Sequence, residues 1–500
     1  VDSNRGLSVT RKMSNLLDKQ TITLEDAKIM SQSPKSEAPA GSEELVTLYK
    51  SRVKIHPRTV TGLFANWRWL FVWLTQALYY GLPWLQWNDR QAVLFDLVQR
   101  KFYIFGLVLW PQDVFYLAII LIISAYALFL FTAVAGRLWC GYTCPQTVYT
   151  EIFLWIEAKI EGNRSARIKL DKAPMDARKI RLRTLKFGAW GLLALWTGLT
   201  LVGYFTPIKE VWVEFWTWNL GPWETFWIFF YGSMTYLFAG VMREQVCLYM
   251  CPYARFQSVM FDPDTLVITY DTERGEPRGQ RKKDVDPKSV GKGDCIDCSL
   301  CVQVCPTGID IRNGLQYECI GCAACIDVCD DVMAQMSYPK GLIRYTTENA
   351  LAQHWGWRDI LGHIVRPRII IYTVILIGIT LALIWGLANK ADLRVNVIRD
   401  RAILAREVEG GLIENVFRLQ VMNVTEQGHR YVVSVNGLEN IKMEGETEIE
   451  VSPAASKSFT VAVRVPPEAG KKGSHTIYFD VKSEDSPNLA VHEKAIFLMP

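Results

Sequence analysis

Neither sign of charge dominates this sequence. Lys and Arg number 55 against 51 Asp and Glu, a net of +4, too small an excess to argue for a nucleic-acid ligand. It has no Gly-rich dinucleotide fingerprint, no P-loop and no nucleophile motif in a convincing context, so NAD-linked, nucleotide-driven and hydrolytic chemistries have no visible machinery. Histidine is scarce. All six (His56, His354, His363, His429, His475, His492) fall outside the long apolar runs described below, which removes the axial ligands of a bis-histidine haem within a bilayer. Gly and Pro, at 34 and 21 residues, are too few for a collagen-like or low-complexity chain. No basic segment leads straight into an apolar run within residues 1–49, so no cleaved leader is expected. This polar tail, with its Ser/Pro/Ala-rich patch Ser31–Ser42, is expected to be disordered through residue 62.

What the chain does have is apolar length. Five uncharged stretches, Trp69–Asn88, Val114–Gly136, Phe187–Phe205, Thr225–Met242 and Ile369–Asn389, each reach about 18 to 23 residues, enough at about 1.5 Å per residue to cross a hydrocarbon core. A buried core helix is the alternative for any one of them, but five in one chain predict five transmembrane helices. A sixth run, Phe102–Trp110, is too short to span and stops at Pro111, so it reads as interfacial or re-entrant. Trp84 and Trp87 end the first run, and Trp212, Trp216, Trp218 and Trp223 precede the fourth, where headgroups collect amphipathic rings. Lys50, Arg52, Lys54, Arg58 and Arg68 approach the first run, and eleven basic residues lie between Arg137 and Lys186, against Lys209 alone between Thr206 and Glu224. The positive-inside rule then places the N-terminus and the second and fourth connections in the cytoplasm, and the C-terminus outside. Lys390, Arg394, Arg399, Arg401 and Arg406 vote against this, but the parity of the spans outweighs them.

Beyond about Val408 the period becomes two. Val416–Val424, Tyr431–Val435, Thr447–Val451, Phe459–Val465, Thr476–Val481 and Ala490–Leu498 alternate, with Gly, Asn-Gly and Pro turn signals between them, as in an immunoglobulin-like sandwich. No cysteine lies beyond Cys329, so no inter-sheet disulfide holds it. Asn423-Val-Thr425 fits a glycosylation sequon, with chance as the reading preferred.

The chemistry is in the cysteines. Cys295, Cys298, Cys301 and Cys305 have C-x2-C-x2-C-x3-C spacing followed by Pro306, and Cys319, Cys322, Cys325 and Cys329 repeat it. In two-cluster ferredoxins the fourth Cys of each run ligates the other cluster. Cys295, Cys298, Cys301 and Cys329 are therefore expected to hold one 4Fe–4S cluster, and Cys319, Cys322, Cys325 and Cys305 the other. Zinc is the alternative, but its ligand pairs are separated by longer loops. Asp330, not Pro, follows Cys329. The remaining four cysteines form a second repeat, Cys140-Gly-Tyr-Thr-Cys144-Pro145 after the second run and Cys247-Leu-Tyr-Met-Cys251-Pro252 after the fourth. A spacing of four puts two sulfurs on one helix face, and two such helix ends could converge on one redox or metal site. Buried structural cysteine is the plainer alternative. Four thiolates would suit copper(I), a further iron–sulfur centre or zinc. Met250 could add a thioether, though packing is its default. Arg137 and Arg243 could lower thiol pKa values or bind an anion, though membrane anchoring is theirs.

The whole is predicted as an α-helical membrane protein with an inserted α+β two-cluster ferredoxin-like domain and a C-terminal all-β sandwich: membrane domain 63–255, ferredoxin-like domain 256–368, last span 369–389, outer domain 390–500. With both cysteine repeats placed, the chain resembles the cytochrome c oxidase accessory protein family (CcoG/FixG/RdxA) from about Lys54 onward. Arg90-Gln-Ala-Val-Leu-Phe-Asp-Leu97, Trp110-Pro-Gln-Asp113, Trp139-Cys-Gly-Tyr-Thr-Cys-Pro-Gln146, Arg243-Glu-Gln-Val-Cys-Leu-Tyr-Met-Cys-Pro-Tyr-Ala-Arg-Phe-Gln257, Arg274-Gly-Glu-Pro-Arg-Gly279 and Cys301-Val-Gln-Val-Cys-Pro-Thr-Gly-Ile-Asp-Ile-Arg312 carry the resemblance. Asp330 looks like the family's usual form. The resemblance implies a bacterial inner-membrane protein with a periplasmic sandwich, acting in maturation of cbb3-type oxidase by reducing Cu(II) to Cu(I). Oxidase subunits or copper-delivery proteins are the partners it implies, and a quinol or a cytoplasmic reductant would be the electron donor. Two other readings fit the same residues: a quinol-linked module serving a periplasmic reductase, and an assembly scaffold with structural clusters.

Overall fold

The computed structural model describes residues 54–500 except 284, 401–404, 409 and 487. Most of the polar tail, with its Ser31–Ser42 patch, lies outside the described residues, and so does Arg401. Residues 55–62 do not behave as tail. The Arg58 N–H donates to Gln303 O (2.8 Å), and the His56 and Pro57 carbonyls accept from Arg164 and Arg167, so this stretch is held by its backbone.

Among the described residues four helices, Pro111–Ala135, Ala177–Val202, Pro222–Met242 and Pro367–Ala388, are long and apolar enough to cross a membrane. We label the helices needed below α1 (Leu63–Gly81), α2 (Val114–Ala135), α3 (Leu138–Tyr142), α4 (Pro145–Glu161), α5 (Ala177–Val202), α6 (Pro222–Thr235), α7 (Pro252–Met260), α8 (Leu300–Val304), α9 (Ala324–Gln335) and α10 (Pro367–Ala388). Leu121 and Ile122 on α2 and Leu381 and Ile384 on α10 are exposed, an apolar belt that water would not tolerate and lipid does. α5 and α6 pack through small residues: a Cβ on Gly198 would lie 2.2 Å from Ile228 O, and one on Gly232 3.2 Å from Ala194 O, the close approach by which helices associate in lipid. The first expected span is displaced. α1 begins six residues before Trp69 and ends at Gly81, with Pro83 just beyond, and it is not among the four. It has 19 residues, but Arg68 and Gln76 lie within it, and Trp67, Trp69, Trp73, Tyr79 and Tyr80 give it an interfacial composition.

Phe102–Trp110 is not re-entrant. Val93–Asp96, Lys101–Ile104 and Leu107–Leu109 form a three-stranded antiparallel sheet. Leu94, Tyr103, Val108 and Trp110 pack against Met422, Val424 and Ala454 of the C-terminal domain. The apolar run covers a protein surface, which is why its composition alone misled.

The C-terminal domain is a two-sheet sandwich. Strands 442–445, 456–465, 412–423 and 393–399 lie side by side in one sheet, with 406–408 on the edge of 412–414. Strands 448–451, 429–436, 473–483 and 490–499 form the other. Six strands fall where the alternation puts them. Leu393–Arg399, Arg406–Val408 and Lys442–Gly445 are additions. Phe417, Leu419, Tyr431, Val463, Phe479 and Phe497 fill the space between the sheets. Asn423 is fully buried, and its amide donates to the carbonyls of Gln427 and Ser452, so it serves as a turn bracket and the sequon is a chance match.

Between α7 and α10 the chain builds the cysteine-rich domain. Val267–Tyr270 pairs with Ile343–Thr346, and α8 and α9 pack together beneath them. Its attachment to the membrane helices is specific. Asp327 on α9 accepts the free backbone N–H groups of Phe64 and Ala65 (3.1 and 2.7 Å), and so caps α1 from another part of the chain. Gly62, at the cap itself, has no room for a Cβ beside that carboxylate.

Candidate iron–sulfur and thiol centres

The two ferredoxin-type runs share one backbone device. Asp297 (φ 52°) and Ser299 (φ 55°) flank Cys298, and Gly321 (φ 68°) and Ala323 (φ 59°) flank Cys322. Left-handed residues at the same two positions turn successive N–H groups inward, forming the concavity that receives anions and iron–sulfur clusters. Ser299 and Ala323 then open α8 and α9, which carry Cys301 in one case and Cys325 and Cys329 in the other.

The thiols sort into two groups across the runs. Cys295, Cys298, Cys301 and Cys329 line one cavity of about 20 Å³ with Tyr270 and Met333. Burial pushes the Cys329 thiol up to about 12, reinforced by Cys301 and Cys295. Cys305 joins Cys319, Cys322 and Cys325. Burial raises all three of these thiols, and Cys305 is among the sulfurs that oppose their ionisation. The fourth cysteine of each run thus lies beside the first three of the other. Among the described residues no group of three or more His, Cys, Asp or Glu is placed to hold a single ion, these eight and the four C-x3-C-P sulfurs alike. Sulfur-only donors spread round a volume, in nests of N–H groups, fit a 4Fe–4S cubane.

The C-x3-C-P repeats depart from expectation in a useful way. Neither pair lies on one continuous helix. Cys140 is in α3, while Cys144 (φ −58°, ψ 127°) is the N-cap of α4. Cys247 is in a π-helical turn, Val246–Met250, and Cys251 (φ −76°, ψ 110°) is the N-cap of α7. The proline is the cause: it denies the residue before it the helical region and then starts the next helix itself. The two repeats match further back. Gly136 (φ 53°, ψ −109°) and Arg243 (φ 47°, ψ −114°), each four residues before the first Cys, have the same conformation. Glycine adopts this readily and arginine does not, so Arg243 is strained, as residues at functional sites often are. It is held by a 2.5 Å ion pair to buried Glu157 and a bond from Nε to Gly240 O.

These four sulfurs are near enough to influence one another, though they are not grouped to hold a single ion. Cys144 and Cys247 oppose the ionisation of Cys140, Cys251 that of Cys144, and Cys144 and Cys251 that of Cys247. Burial is the larger cause, and it pushes Cys140 and Cys247 up to about 12. The arginines therefore do not make these thiols acidic. Arg137 instead donates to Cys319 O and Ala254 O (3.2 and 2.6 Å) and ties the two cysteine regions together. Two glutamines missed as site residues brace the repeats: Gln146 donates to Phe238 O and Arg243 O, and fully buried Gln257 accepts from Cys140 Sγ at 3.4 Å. Gln146 directly follows a Cys-Pro pair, which was the signal for it; Gln257 carried none. Met250 is half exposed.

The two sites adjoin. Cys140 packs against the apolar cluster that contains Cys322 and Ile320, and Gly141 meets Gly321 backbone to backbone. Arg68 pairs with Glu151 (3.1 Å) and reaches the Cys322 thiol. Of the histidines, His354 is exposed near Glu273 and His363 stacks on Trp355, so both have surface roles.

Fold and site together define a membrane protein of ferredoxin type. Family descriptions agree in detail: "4Fe-4S dicluster domain" matches residues 242–348, "4Fe-4S binding domain" 117–163 and "IG-like fold at C-terminal of FixG" 383–500. Protein RdxB of Cereibacter sphaeroides is 38% identical over 464 residues, covering 90% of this chain and 97% of that one. Nitrogen fixation protein FixG of Rhizobium meliloti is 36% identical over 449 residues, covering 82% and 86%. The chain belongs to the FixG/RdxA/RdxB family. A crystal structure of a FixG-related protein from Vibrio parahaemolyticus matches 22% of this chain and 97% of its own at 25% identity, with a TM-score of 0.20.

Proposed function

We propose that this protein transfers electrons in the assembly of cbb3-type oxidase by reducing Cu(II) to Cu(I), in the bacterial inner membrane, with oxidase subunits or copper-delivery proteins as partners. Cys295, Cys298, Cys301 and Cys329 would hold one 4Fe–4S cluster and Cys319, Cys322, Cys325 and Cys305 the other, and such clusters supply one-electron chemistry. Cys140, Cys144, Cys247 and Cys251 would receive the copper substrate, because soft thiolates favour Cu(I) over Cu(II). The raised pKa values of Cys140, Cys144 and Cys247 keep these thiols neutral until copper displaces their protons. Gln257 orients Cys140, and Gln146 fixes the strained Arg243 turn ahead of Cys247. The observation that carries the reading is that Cys140 packs on the cluster containing Cys322: substrate site and electron carrier share a wall.

In this reading all five apolar helices cross the membrane, α1 included, with both cysteine sites at the cytoplasmic face and the sandwich in the periplasm. Ion pairing of Lys390 and Arg394 with Asp113 (2.9 and 2.8 Å) supports it, since neutralised cations weigh little in topology. The test is cupric reduction by purified protein carrying Cys140→Ser or Cys251→Ser. Loss of activity with iron retained is expected. Undiminished activity removes these thiols from the mechanism.

A further inference from the structure

A second cavity, of about 850 Å³, lies beside the cysteine sites. Its size is that of a small-molecule pocket. Its walls come from four places: Phe64, Trp67 and Phe71 on α1, Phe131 near the end of α2, Tyr142 on α3, and Tyr345 on the strand that follows the second cysteine run. Aromatic rings of this kind bind flat conjugated rings by stacking and edge contacts. Trp67, Trp139 and Trp357 are all substantially exposed at its rim, the disposition of rings at headgroup depth, so the mouth faces the lipid boundary.

The floor of the cavity is the electron-carrying part of the molecule. Ile326 and Asp330 line it, and each directly follows a cysteine of α9, Cys325 and Cys329, one from each sulfur group. Tyr345 donates to Gly321 O at 2.7 Å, beside Cys322, and is hydrogen-bonded to Tyr142. Against this apolar lining stand Thr143, Asp330, Arg344 and the two phenols, and Asp330 and Arg344 both hydrogen-bond the Gly341 backbone at one end. Arg344 is partly exposed and bonded to Gly341 O and Asp271, which makes that end the wet one.

We propose that this cavity binds a lipid-soluble quinol, head group against Tyr142 and Tyr345 and isoprenoid tail past Phe131 toward lipid, and that it is the entry point for electrons. This rests on the electron-transfer reading above and supplies its donor. The quinol is oxidised to the quinone: both O–H bonds break, two electrons leave one at a time to the 4Fe–4S carriers of the two cysteine sets, and two protons pass to water at the Arg344 end. Both sulfur groups border the cavity through α9, so a two-electron donor meets two one-electron acceptors.

The experiment uses the full chain in detergent with decylubiquinone as probe. Three tryptophans line the cavity, and quinones quench indole fluorescence, so binding is read without any turnover. Saturable quenching is expected, together with bleaching of the iron–sulfur absorbance by decylubiquinol. Trp67→Ala removes an exposed rim ring, and Ala135→Phe fills the space at the end of α2. Each should weaken binding by about tenfold, the scale of one lost aromatic contact set. Ile384→Ala, on the exposed face of α10 and away from the cavity, should leave binding unchanged. Trp67→Ala keeps the test decisive should Ala135→Phe fold poorly. Quenching that does not saturate, or that both cavity variants leave unaltered, overturns the proposal in favour of simple partition or a bound lipid chain. If chemically reduced protein still reduces Cu(II) in that case, the reading of the function stands without the quinol site; if the protein holds no iron, that reading falls first.

Discussion

The contact between Gly141 and Gly321 is where the Cys140 turn and the second cysteine set meet, and it can be perturbed by a single methyl group. In Gly141→Ala the new Cβ would lie 2.6 Å from Gly321 O, 2.8 Å from its carbonyl carbon and 3.0 Å from Cys322 Cα. All three are backbone atoms, so no side chain can rotate away. Restoring ordinary contact at 3.4 Å requires the segments to part by about 0.8 Å. Overpacking of this kind costs about 1–3 kcal/mol. Opposing the docked state by that amount raises the undocked fraction by about 5- to 150-fold. Undocking uncovers Cys319 and Cys322, and when opening and closing are fast the loss of iron to a chelator tracks the open population. About half of the bound iron should therefore leave faster by that factor, in a biphasic decay, with the rest unchanged. Gly188→Ala is the control: nothing lies within 4 Å of its Cβ, and alanine in a helix is favoured over glycine by about 0.5–1 kcal/mol. Iron loss from Gly141→Ala at the wild-type rate, or equal acceleration in Gly188→Ala, would refute the argument that this backbone contact holds the sites together.

Cys329→Ser should alter the same electron paramagnetic resonance signal as Cys295→Ser, and Cys305→Ser the same one as Cys319→Ser; pairing by position along the chain would count against the exchange of fourth ligands. Asp327→Ala should cost about 0.5–2 kcal/mol through loss of the α1 cap, read as faster proteolysis around residues 55–65, with Asp327→Asn milder. In the sandwich, burial alone would raise the Glu414 carboxyl, but hydrogen bonds from Arg464 (2.7 Å) and Arg406 (2.6 Å) outweigh it and hold it below the usual range. A depressed folded value gives stability that is present above the unfolded pKa of about 4.3 and is lost as pH falls through the folded one. Hydrogen exchange in strands 412–423 and 456–465 should accelerate through that acid window, and Glu414→Gln should flatten the dependence.

Cys295, Cys298 and Cys301 share a cavity with Cys329; the two-residue gaps account for the first three lying together, while the exchanged fourth was expected from the pattern of two-cluster ferredoxins and not from spacing. Alternation found six strands of the sandwich but passed over Leu393–Arg399, which is seven residues long. It missed Lys442–Gly445 and Arg406–Val408, which are short edge pieces with polar faces. The C-x3-C-P pairs show where spacing fails. Four residues mean one helix face only if the helix continues, and each pair ends at a proline that breaks it. Proline was visible in the sequence, so the break was legible, but the match between Gly136 and Arg243 was not, since one conformation there is occupied by two dissimilar residues. The role of Arg137 was hidden for a different reason: its partners are the carbonyls of Cys319 and Ala254, far along the chain, and main-chain acceptors leave no mark on the sequence.

Charge counting meets the same difficulty at the other end of the molecule. Lys390, Arg394, Arg399 and Arg406 follow the last span closely and, counted as free cations, would pull that end toward the side where Lys and Arg collect. Three of them are paired. Asp113, fully buried at its side chain, accepts Lys390 and Arg394 together, Lys390 also reaches Val108 O, and Arg406 is spent on Glu414. A buried carboxylate with two cations is retained only if the set stays together, since removing one member strands a charge at a cost of about 3–5 kcal/mol. Asp113 does more than neutralise, because it also closes the start of α2 by accepting the Trp110 N–H at 3.0 Å. One carboxylate thus fixes the beginning of one membrane helix, the end of another and the first strand of the sandwich, and the sandwich in turn covers the apolar sheet 93–109. Lys390 and Arg394 form a structural joint between the membrane helices and the sandwich, and their two charges belong in that balance and not in a count of free cations.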